Sequence, residues 1–332
     1  MHAAAQNHGR KTRLFVWAST SLCAAVMATG CGAPSYLRSA PITPTPAAAA
    51  PDGVTRHVVL VSIDGLRPDA IEAFGATTLL QLMRQGSYTL HASTISPSKT
   101  LPSHTSMLTG EPPDRHQVLW NNVVSAVRDE VELPSIFSVA RSRGYRTAAF
   151  FSKAKFHPLQ REGTLDYSQA PGGWFGRWSA ARTMSDVEKY LQEARPNLLF
   201  VHFTDPDAAG HRSGWMGQEY GEAVRSADGA LSRLLQTADA IYGAGNYSLI
   251  VTADHGGHGT NHGSADPRDV TIPWIAWGRG VKRGALDSRS VVTMDTASTV
   301  LWLLGLPEPT DWAGTPLVDA FESSDTPAGG SQ

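Results

Sequence analysis

The chain has 332 residues, 41% of them hydrophobic, and a formal net charge of −2 at pH 7. This length supports one large α/β domain, and the nearly balanced charge gives no electrostatic bias toward polymeric nucleic acid or anionic membrane surfaces. Both cysteines, Cys23 and Cys31, precede the predicted domain, which excludes a disulfide framework and a cysteine-based metal site or nucleophile.

Residues 1–31 are predicted to be an export signal. Three basic residues at positions 10–13 precede an apolar segment, 14–26, that is too short to span a bilayer. Small residues follow, and Cys31 comes directly after Gly30, an order similar to that of bacterial lipoprotein signals. We therefore expect a lipid on Cys31 to anchor a periplasmic or cell-surface protein to the membrane, and the alternative is ordinary cleavage nearby.

Three further segments complete the predicted organisation. Residues 32–56 are rich in Pro and Ala and predict a semi-extended tether. Residues 57–318 form the predicted folded domain, and the polar, Gly-containing residues 319–332 are expected to be a disordered tail. The sequence leaves the oligomeric state open.

Predicted strands and helices alternate through the domain. Strands are expected to end near Ile63, Phe151, Phe203, Thr252 and Trp277. Apolar residues at helical spacing predict helices over Thr77–Arg84, Pro134–Arg143, Thr183–Ala194, Gln218–Tyr242 and Thr296–Leu304. This alternation predicts a doubly wound, mostly parallel central sheet with helices on both faces.

Residues 152–178 interrupt the alternation with aromatic residues among glycines and prolines. A segment of this length without a periodic pattern is usually functional or disordered. Its aromatic residues favour an ordered lid beside the active site, and the alternative is that they only pack the loop onto the domain. The aromatic residues in question include Phe156, Trp174, Phe175 and Trp178.

Aspartates and histidines follow three of the predicted strands. Asp64 follows the first, Asp207 and His211 the third, and Asp254 and His255 the fourth. Carboxylate and imidazole groups are ligands that zinc accepts, and parallel strands deliver such residues to the carboxyl edge of the sheet. The pattern predicts a metal-dependent hydrolase, in which either His262 or His258 supplies a further ligand.

Five motifs in order carry a resemblance to a known family. They are Asp64–Asp69, Ser98–His104, Pro206–His211, Ala253–Gly256 and Met294–Leu301. The chain resembles the alkaline phosphatase superfamily, and most closely its type I phosphodiesterase/nucleotide pyrophosphatase branch, over roughly residues 57–318.

The resemblance implies two divalent metal ions, expected to be Zn²⁺. It assigns Asp64, Thr100, Asp254 and His255 to the ion that activates the nucleophile, and Asp207, His211 and His262 to the ion on the leaving-group side. Thr100, directly after Lys99, matches the family's nucleophile, and Ser98 is the weaker candidate. The expected substrate contacts are Lys99, Ser103, Asn121 and Asn122.

The implied activity is hydrolysis of phosphodiester or pyrophosphate bonds in a small phosphate ester such as a nucleotide. Alternatives on the same scaffold are a phosphomonoesterase or phosphonate hydrolase, and a non-catalytic surface lipoprotein is a further alternative. Sulfatase activity is disfavoured because the Cys/Ser-x-Pro-x-Arg pattern is absent around Thr100. Ser103 stands where an asparagine is common in the diesterases, but Lys99 as the one predicted nearby cation favours diesters.

Overall fold

The computed structural model describes residues 53–122, 131–173, 176–286 and 289–322. In these ranges, eight strands form one sheet in the order β4-β3-β5-β1-β6-β7-β2-β8. The strands are β1 Val58–Ile63, β2 Ser87–Ser93, β3 Thr147–Phe150, β4 Tyr167–Gln169, β5 Leu198–Phe203, β6 Ser248–Thr252, β7 Thr271–Gly278 and β8 Gly284–Ala285. The first five strands of this order, from β4 at the edge to β6, are parallel to one another. Strand β7 is antiparallel to both of its neighbours, β6 and β2. The predicted mostly parallel sheet is confirmed.

The helices pack in two groups, as expected for a sheet covered on both faces. They are α1 Pro68–Ala73, α2 Thr77–Gln85, α3 Thr100–Thr109, α4 Pro113–His116, α5 Ile136–Ser142, α6 Ala180–Glu193, α7 Asp205–Ser213, α8 Gln218–Tyr242, α9 Pro267–Val270 and α10 Asp295–Leu303. Helix α8 packs against α2, α6 and α7, whereas α10 packs against α3 and α5. None of the helices in the described ranges has the length and apolarity needed to cross a bilayer.

The central strands β1, β5 and β6 are buried at every position. Their nearly continuous apolar sequences suit a parallel sheet that is covered on both faces. Buried Asp228 of α8 accepts hydrogen bonds from the backbone N–H groups of Thr78 (3.0 Å) and Leu79 (2.9 Å). It thereby caps the start of α2, whose own preceding residue, Ala76, has no side chain suited to that role.

The segment 152–178 differs from the expected lid. It contains a 3₁₀ helix, Ala154–Leu159, and the edge strand β4. Phe156 is fully buried, with its ring centroid 5.0 Å from that of Phe151 and 4.8 Å from that of His104. Phe156 therefore follows the alternative expectation, in which the aromatic residue packs the loop onto the domain, since the ring belongs to the core. Trp174 and Phe175 lie outside the described residues.

The packed domain is slightly longer than the predicted range 57–318. Before it, Thr55 is buried and its N–H donates to the carbonyl of Leu303 at 3.1 Å. After it, Phe321 is buried, with its ring 5.2 Å from that of Trp302. The predicted tether and tail therefore each lose a few residues to the domain. The predicted export signal and Cys31 lie outside the described residues.

Candidate metal centre and active site

Six of the predicted ligands meet at the carboxyl edge of the sheet. Strand β1 lies between β5 and β6, so residues that follow these three parallel strands are neighbours. Asp64 directly follows β1, Asp254 follows β6, and Asp207 lies in the first turn of α7 after β5. The ligand atoms form two groups, each within 4.8 Å: a first triad of Asp64, Asp254 and His255, and a second triad of Asp207, His211 and His262.

The three histidines share one orientation, with Nδ1 directed at a backbone carbonyl. The acceptors are Gly256 for His255 (2.8 Å), Thr260 for His211 (2.9 Å) and Ser98 for His262 (2.8 Å). A carbonyl can only accept, so Nδ1 carries the proton and the Nε2 lone pair of the neutral ring faces the carboxylates. Such a backbone partner is what orients a metal-ligating histidine.

In each triad, nitrogen and oxygen lone pairs face one another, and only a cation between them can interact favourably with all of them. Nε2 of His255 lies 3.5 Å from Asp64 Oδ1 and 3.2 Å from Asp254 Oδ2, and both of these buried oxygens have no hydrogen-bond partner among the described residues. In the second triad, Nε2 of His211 lies 3.2 Å from Asp207 Oδ1, which also lacks such a partner. Buried oxygen and nitrogen lone pairs that face one another fit divalent metal ions.

The pKa shifts of the first triad fit the same conclusion. Burial raises the pKa of Asp254 well above its usual value, and the charge of Asp64 raises it further. Burial, with the neighbouring His262, lowers the pKa of His255 to about 3. The imidazole is therefore neutral, as ligation requires. The two neighbouring carboxylates repel each other in this buried site, and a cation between them would stabilise both in the ionised form.

The second triad contains one histidine with the opposite shift. The adjacent carboxylate of Asp207 raises the pKa of His211, whereas burial lowers the pKa of His262. Their Nε2 atoms are only 3.1 Å apart. A proton or another cation must therefore lie between these nitrogens, and the pair would suit a metal ion in place of the proton. His258 points elsewhere, with Nδ1 2.7 Å from Asp269, so the triad includes His262.

Gly65 joins the two triads through the backbone. Its φ is +72°, and a Cβ there would lie 2.9 Å from the Cα of Asp207. Because glycine permits this close approach, the N–H of Asp207 donates to the carbonyl of Asp64 at 3.0 Å. The N–H of Gly65 donates to Asp254 Oδ1 at 3.1 Å. The turn after β1 thus fixes the separation of the carboxylates.

Thr100 is the first residue of α3, and it is buried beside the first triad. Its Oγ1 lies 3.3 Å from Nε2 of His255. One turn later, His104 holds the helix in place, because its Nδ1 donates to the carbonyl of Thr100 at 2.8 Å and its Nε2 lies 2.8 Å from Ser62 Oγ in β1. The sequence therefore brings the predicted nucleophile to the predicted ligands.

Ser103 is the clearest departure among the predicted substrate contacts. Its hydroxyl is fully buried and donates to the carbonyl of Asp254 at 2.7 Å. Because a hydroxyl has one proton, Thr94 Oγ1 must be the donor in its 2.6 Å contact with Ser103. The expected substrate contact through Ser103 is therefore contradicted, because its hydroxyl has no proton left for a phosphate oxygen, and the residue instead supports the chain that carries Asp254.

The other predicted substrate contacts differ in position. Asn121 lies at the site, where its Oδ1 accepts from the N–H of Leu101 at 3.0 Å, directly after the nucleophile. Asn122 is exposed. The aliphatic part of half-buried Lys99 passes beside Gly263, next to His262.

Two lysines at the site were not predicted. Lys153 is buried, and its Nζ lies 2.6 Å from Asp64 Oδ2 and 2.6 Å from Asp207 Oδ2, so it joins the two triads. Lys155 Nζ lies 3.2 Å from Asn121 Oδ1. The prediction of Lys99 as the one nearby cation is wrong. The signal was the position of both lysines just after β3, whose carboxyl end lies at the same edge as that of β5.

His202, the fifth residue of β5, supports Asp64. Its Nδ1 accepts from the N–H of Ser152 at 3.3 Å, so the proton is on Nε2, which donates to Asp64 Oδ2 at 2.9 Å. Burial would raise the pKa of Asp64, but Lys153 and this hydrogen bond lower it well below its usual value. Asp64 is therefore held as a carboxylate.

The sheet and the site at its edge define an alkaline-phosphatase-like protein. The fold resembles that of the alkaline phosphatase PafA, with a TM-score of 0.63 and 12% identity over 82% of this chain and all of that chain (100%). It also resembles murine ectonucleotide pyrophosphatase/phosphodiesterase 5, solved as an inactive variant in complex with AMP, with a TM-score of 0.69 and 15% identity over 80% of this chain and 100% of that chain.

The chain belongs to the type I phosphodiesterase/nucleotide pyrophosphatase family, whose sequence pattern matches residues 58–270. Among curated proteins, it is similar to ectonucleotide pyrophosphatase/phosphodiesterase family member 7 of Mus musculus, with 24% identity over 68% of this chain. The aligned region spans about half of that relative, 55% of its length.

Proposed function

We propose that the chain hydrolyses phosphoric ester bonds of small phosphate compounds, with Thr100 as the nucleophile and with two zinc ions in the two triads. The family membership supports phosphodiester or pyrophosphate bonds in compounds such as nucleotides. The observation that carries the proposal is the position of the Thr100 hydroxyl, 3.3 Å from the unprotonated nitrogen of His255.

In this proposal each triad holds one ion. Asp64, Asp254 and His255 would hold an ion beside Thr100, and Asp207, His211 and His262 would hold an ion on the leaving-group side. When bound, zinc supplies positive charge that acidifies a hydroxyl and neutralises phosphate oxygens. Thr100 Oγ1 would lose its proton to water and form a bond to phosphorus as the bond to the leaving oxygen breaks, and the leaving oxygen would take a proton from water. A water molecule later cleaves the phosphothreonine.

A solved relative supports the threonine. The murine ectonucleotide pyrophosphatase/phosphodiesterase 5 that was solved with AMP is described as inactive and carries a threonine-to-alanine substitution. An essential threonine and a nucleotide ligand in that protein agree with the roles proposed for Thr100 and for the substrate here.

One observation favours phosphomonoesters as the second candidate substrate. Lys153 and Lys155 add two cations at the site, and a monoester carries more negative charge than a diester.

The two intact triads argue against a non-catalytic lipoprotein, because an unused site has no reason to keep three buried carboxylates together.

Parallel assays test the proposed function. We expect the zinc-loaded protein to hydrolyse at least one of a bis-aryl phosphate, a nucleoside monophosphate aryl ester and an aryl phosphate, and to leave an aryl sulfate intact. Chelation should abolish the activity, and zinc should restore it. If the protein binds zinc but cleaves none of the phosphate esters, the hydrolase proposal is wrong and a binding role is favoured.

We also propose that the chain is exported and lipid-anchored at Cys31, with the Pro/Ala-rich segment as a tether between membrane and enzyme. The order of basic, apolar and small residues before Cys31 supports this proposal. The intact mass of the mature protein tests it. We expect an N-terminal Cys31 with added acyl mass, and a mature chain starting elsewhere, with an unmodified Cys31 or none, would contradict it.

A further inference from the structure

Asp269 is a fully buried carboxylate that lies outside both triads, in α9. Its Oδ2 accepts from the N–H of Ser264 at 3.0 Å and from the hydroxyl of Ser264 at 2.7 Å, and its Oδ1 accepts from Nδ1 of His258 at 2.7 Å. Burial would raise the pKa of Asp269, but these hydrogen bonds lower it below its usual value. Asp269 is therefore an ionised acceptor with three donors, all from one loop.

This loop is the Gly-rich segment 256–264, which lies between β6 and α9 and carries the second-triad ligand His262. At its start, the N–H of Gly256 donates to the backbone carbonyl of Asp269 at 2.8 Å, a bond that does not involve the carboxylate. At its end, two residues after His262, Ser264 donates both of its bonds to the carboxylate of Asp269. The side chain of Asp269 therefore fixes the end of the loop that carries His262.

The middle of the loop has supports of its own. His258 and Asn261 exchange backbone hydrogen bonds of 3.0 and 3.1 Å, and the carbonyl of Gly259 accepts from the N–H of Trp215 at 2.8 Å. The turn between them carries the carbonyl that orients His211. The position of this turn therefore does not depend on the side chain of His258.

His262 is also connected to the segment that carries the nucleophile. Its Nδ1 donates to the carbonyl of Ser98 at 2.8 Å, and the hydroxyl of Ser98 donates to the carbonyl of Ser264 at 2.9 Å. Ser98 is fully buried, two residues before Thr100. Ser98 and Ser264 therefore hold His262 between them, and Asp269 holds Ser264.

We propose that Asp269 is a positioning residue for His262, and that it sets the affinity of the second triad for its metal ion. The carboxylate acts through Ser264, because its two bonds to that residue fix the chain from which the imidazole extends. The inference rests on the two-metal centre of the proposed function and adds a residue that would contact neither ion nor substrate. Residues that orient a metal ligand typically contribute about tenfold to a hundredfold to metal affinity.

The test is calorimetric titration of the metal-free, full-length protein with zinc. We expect wild type to bind two zinc ions. Asp269→Ala should bind one of them about tenfold to a hundredfold more weakly, with the Kd of the other within about threefold of wild type. Asp269→Asn should restore much of the lost affinity, because its amide oxygen can still accept from Ser264.

Two further variants separate positioning from stability. Asp228→Ala is the matched control, because Asp228 is also a buried aspartate that accepts from backbone N–H groups, but it caps α2. It should lower the unfolding temperature and leave both zinc affinities unchanged. Ser264→Ala is the milder variant, since it removes only the 2.7 Å bond to Asp269 and keeps the bond from its N–H. It should weaken the same zinc ion by about threefold to tenfold.

A double-mutant cycle shows whether Asp269 acts through His262. In the His262→Ala background, Asp269→Ala should cause no further loss of zinc affinity, because the ligand that it positions is already absent. A loss of the same size in both backgrounds, or equal weakening of both ions, would show a general structural role and overturn the inference. If wild type binds two zinc ions and Asp269→Ala binds both as tightly, only the inference fails. If wild type binds fewer than two, the proposed metal centre fails, and the inference fails with it.

Discussion

Replacing Thr100 by alanine should reduce kcat for phosphate esters by on the order of a thousandfold or more, the scale seen when a catalytic nucleophile is removed. The substitution deletes the hydroxyl beside His255 and leaves both triads intact. We therefore expect bound zinc and the thermal unfolding temperature to remain close to wild type. Stopped assays, metal analysis and thermal unfolding together check this expectation.

Thr105→Ala is the matched control. Thr105 is also a buried threonine of α3, but its hydroxyl donates to the carbonyl of Leu101 at 2.8 Å, within the helix. We expect it to cost about 1 kcal/mol of stability, the usual net value of one hydrogen bond, with activity retained. Wild-type turnover in Thr100→Ala, combined with an inactive Ser98→Ala, would transfer the nucleophile role to Ser98.

Asp254→Asn should remove metal as well as activity. The amide keeps an oxygen that can accept from the N–H of Gly65 but loses the anionic charge that the first triad offers to an ion. We expect about one fewer bound zinc per chain. Bound ligand stabilises a fold by about 4 kcal/mol when present at a thousand times its Kd, so chelation should lower the unfolding temperature of wild type more than that of the variant.

The stabilities of metal-free wild type and metal-free Asp254→Asn give a second comparison. Without metal, Asp254 is a buried group held against the like charge of Asp64, which raises its pKa. The amide removes that repulsion, so metal-free Asp254→Asn should be at least as stable as metal-free wild type. His258→Ala is the control, since His258 contacts Asp269 and neither triad, and it should keep full zinc content. Full zinc content in Asp254→Asn would remove Asp254 from the ligand set.

The central strands and the longest helix could be predicted because their local patterns agree with their burial. Helix α8 begins at Gln218 and ends at Tyr242, as its spacing predicts, with a glycine at either side. Strand β2, Ser87–Ser93, was missed. Its sequence mixes Thr89 and His91 with apolar residues, and its burial is correspondingly mixed. Its partner β7 lies far along the chain. The strand is formed by its pairing with β7, and its own hydrophobic pattern does not reveal it.

The metal ligands could be predicted because they follow strong strand signals within recognisable motifs. Lys153 and Lys155 also follow a predicted strand, but they were not singled out, because a lysine in sequence is usually a solvated residue. The pairing of β3 with β5 is what directs these two lysines to the site. Ser103 was assigned to substrate from its position three residues after the nucleophile. That position does not reveal that its hydroxyl donates to the backbone carbonyl of Asp254.

The most direct test of the two-metal centre is the number and position of ions in crystals of the zinc-loaded protein, measured by anomalous scattering at the zinc edge. The account predicts two zinc peaks per chain. One should be bound by Asp64, Asp254 and His255 next to Thr100, and the other by Asp207, His211 and His262. A single peak, no peak, or peaks away from these two triads would contradict it.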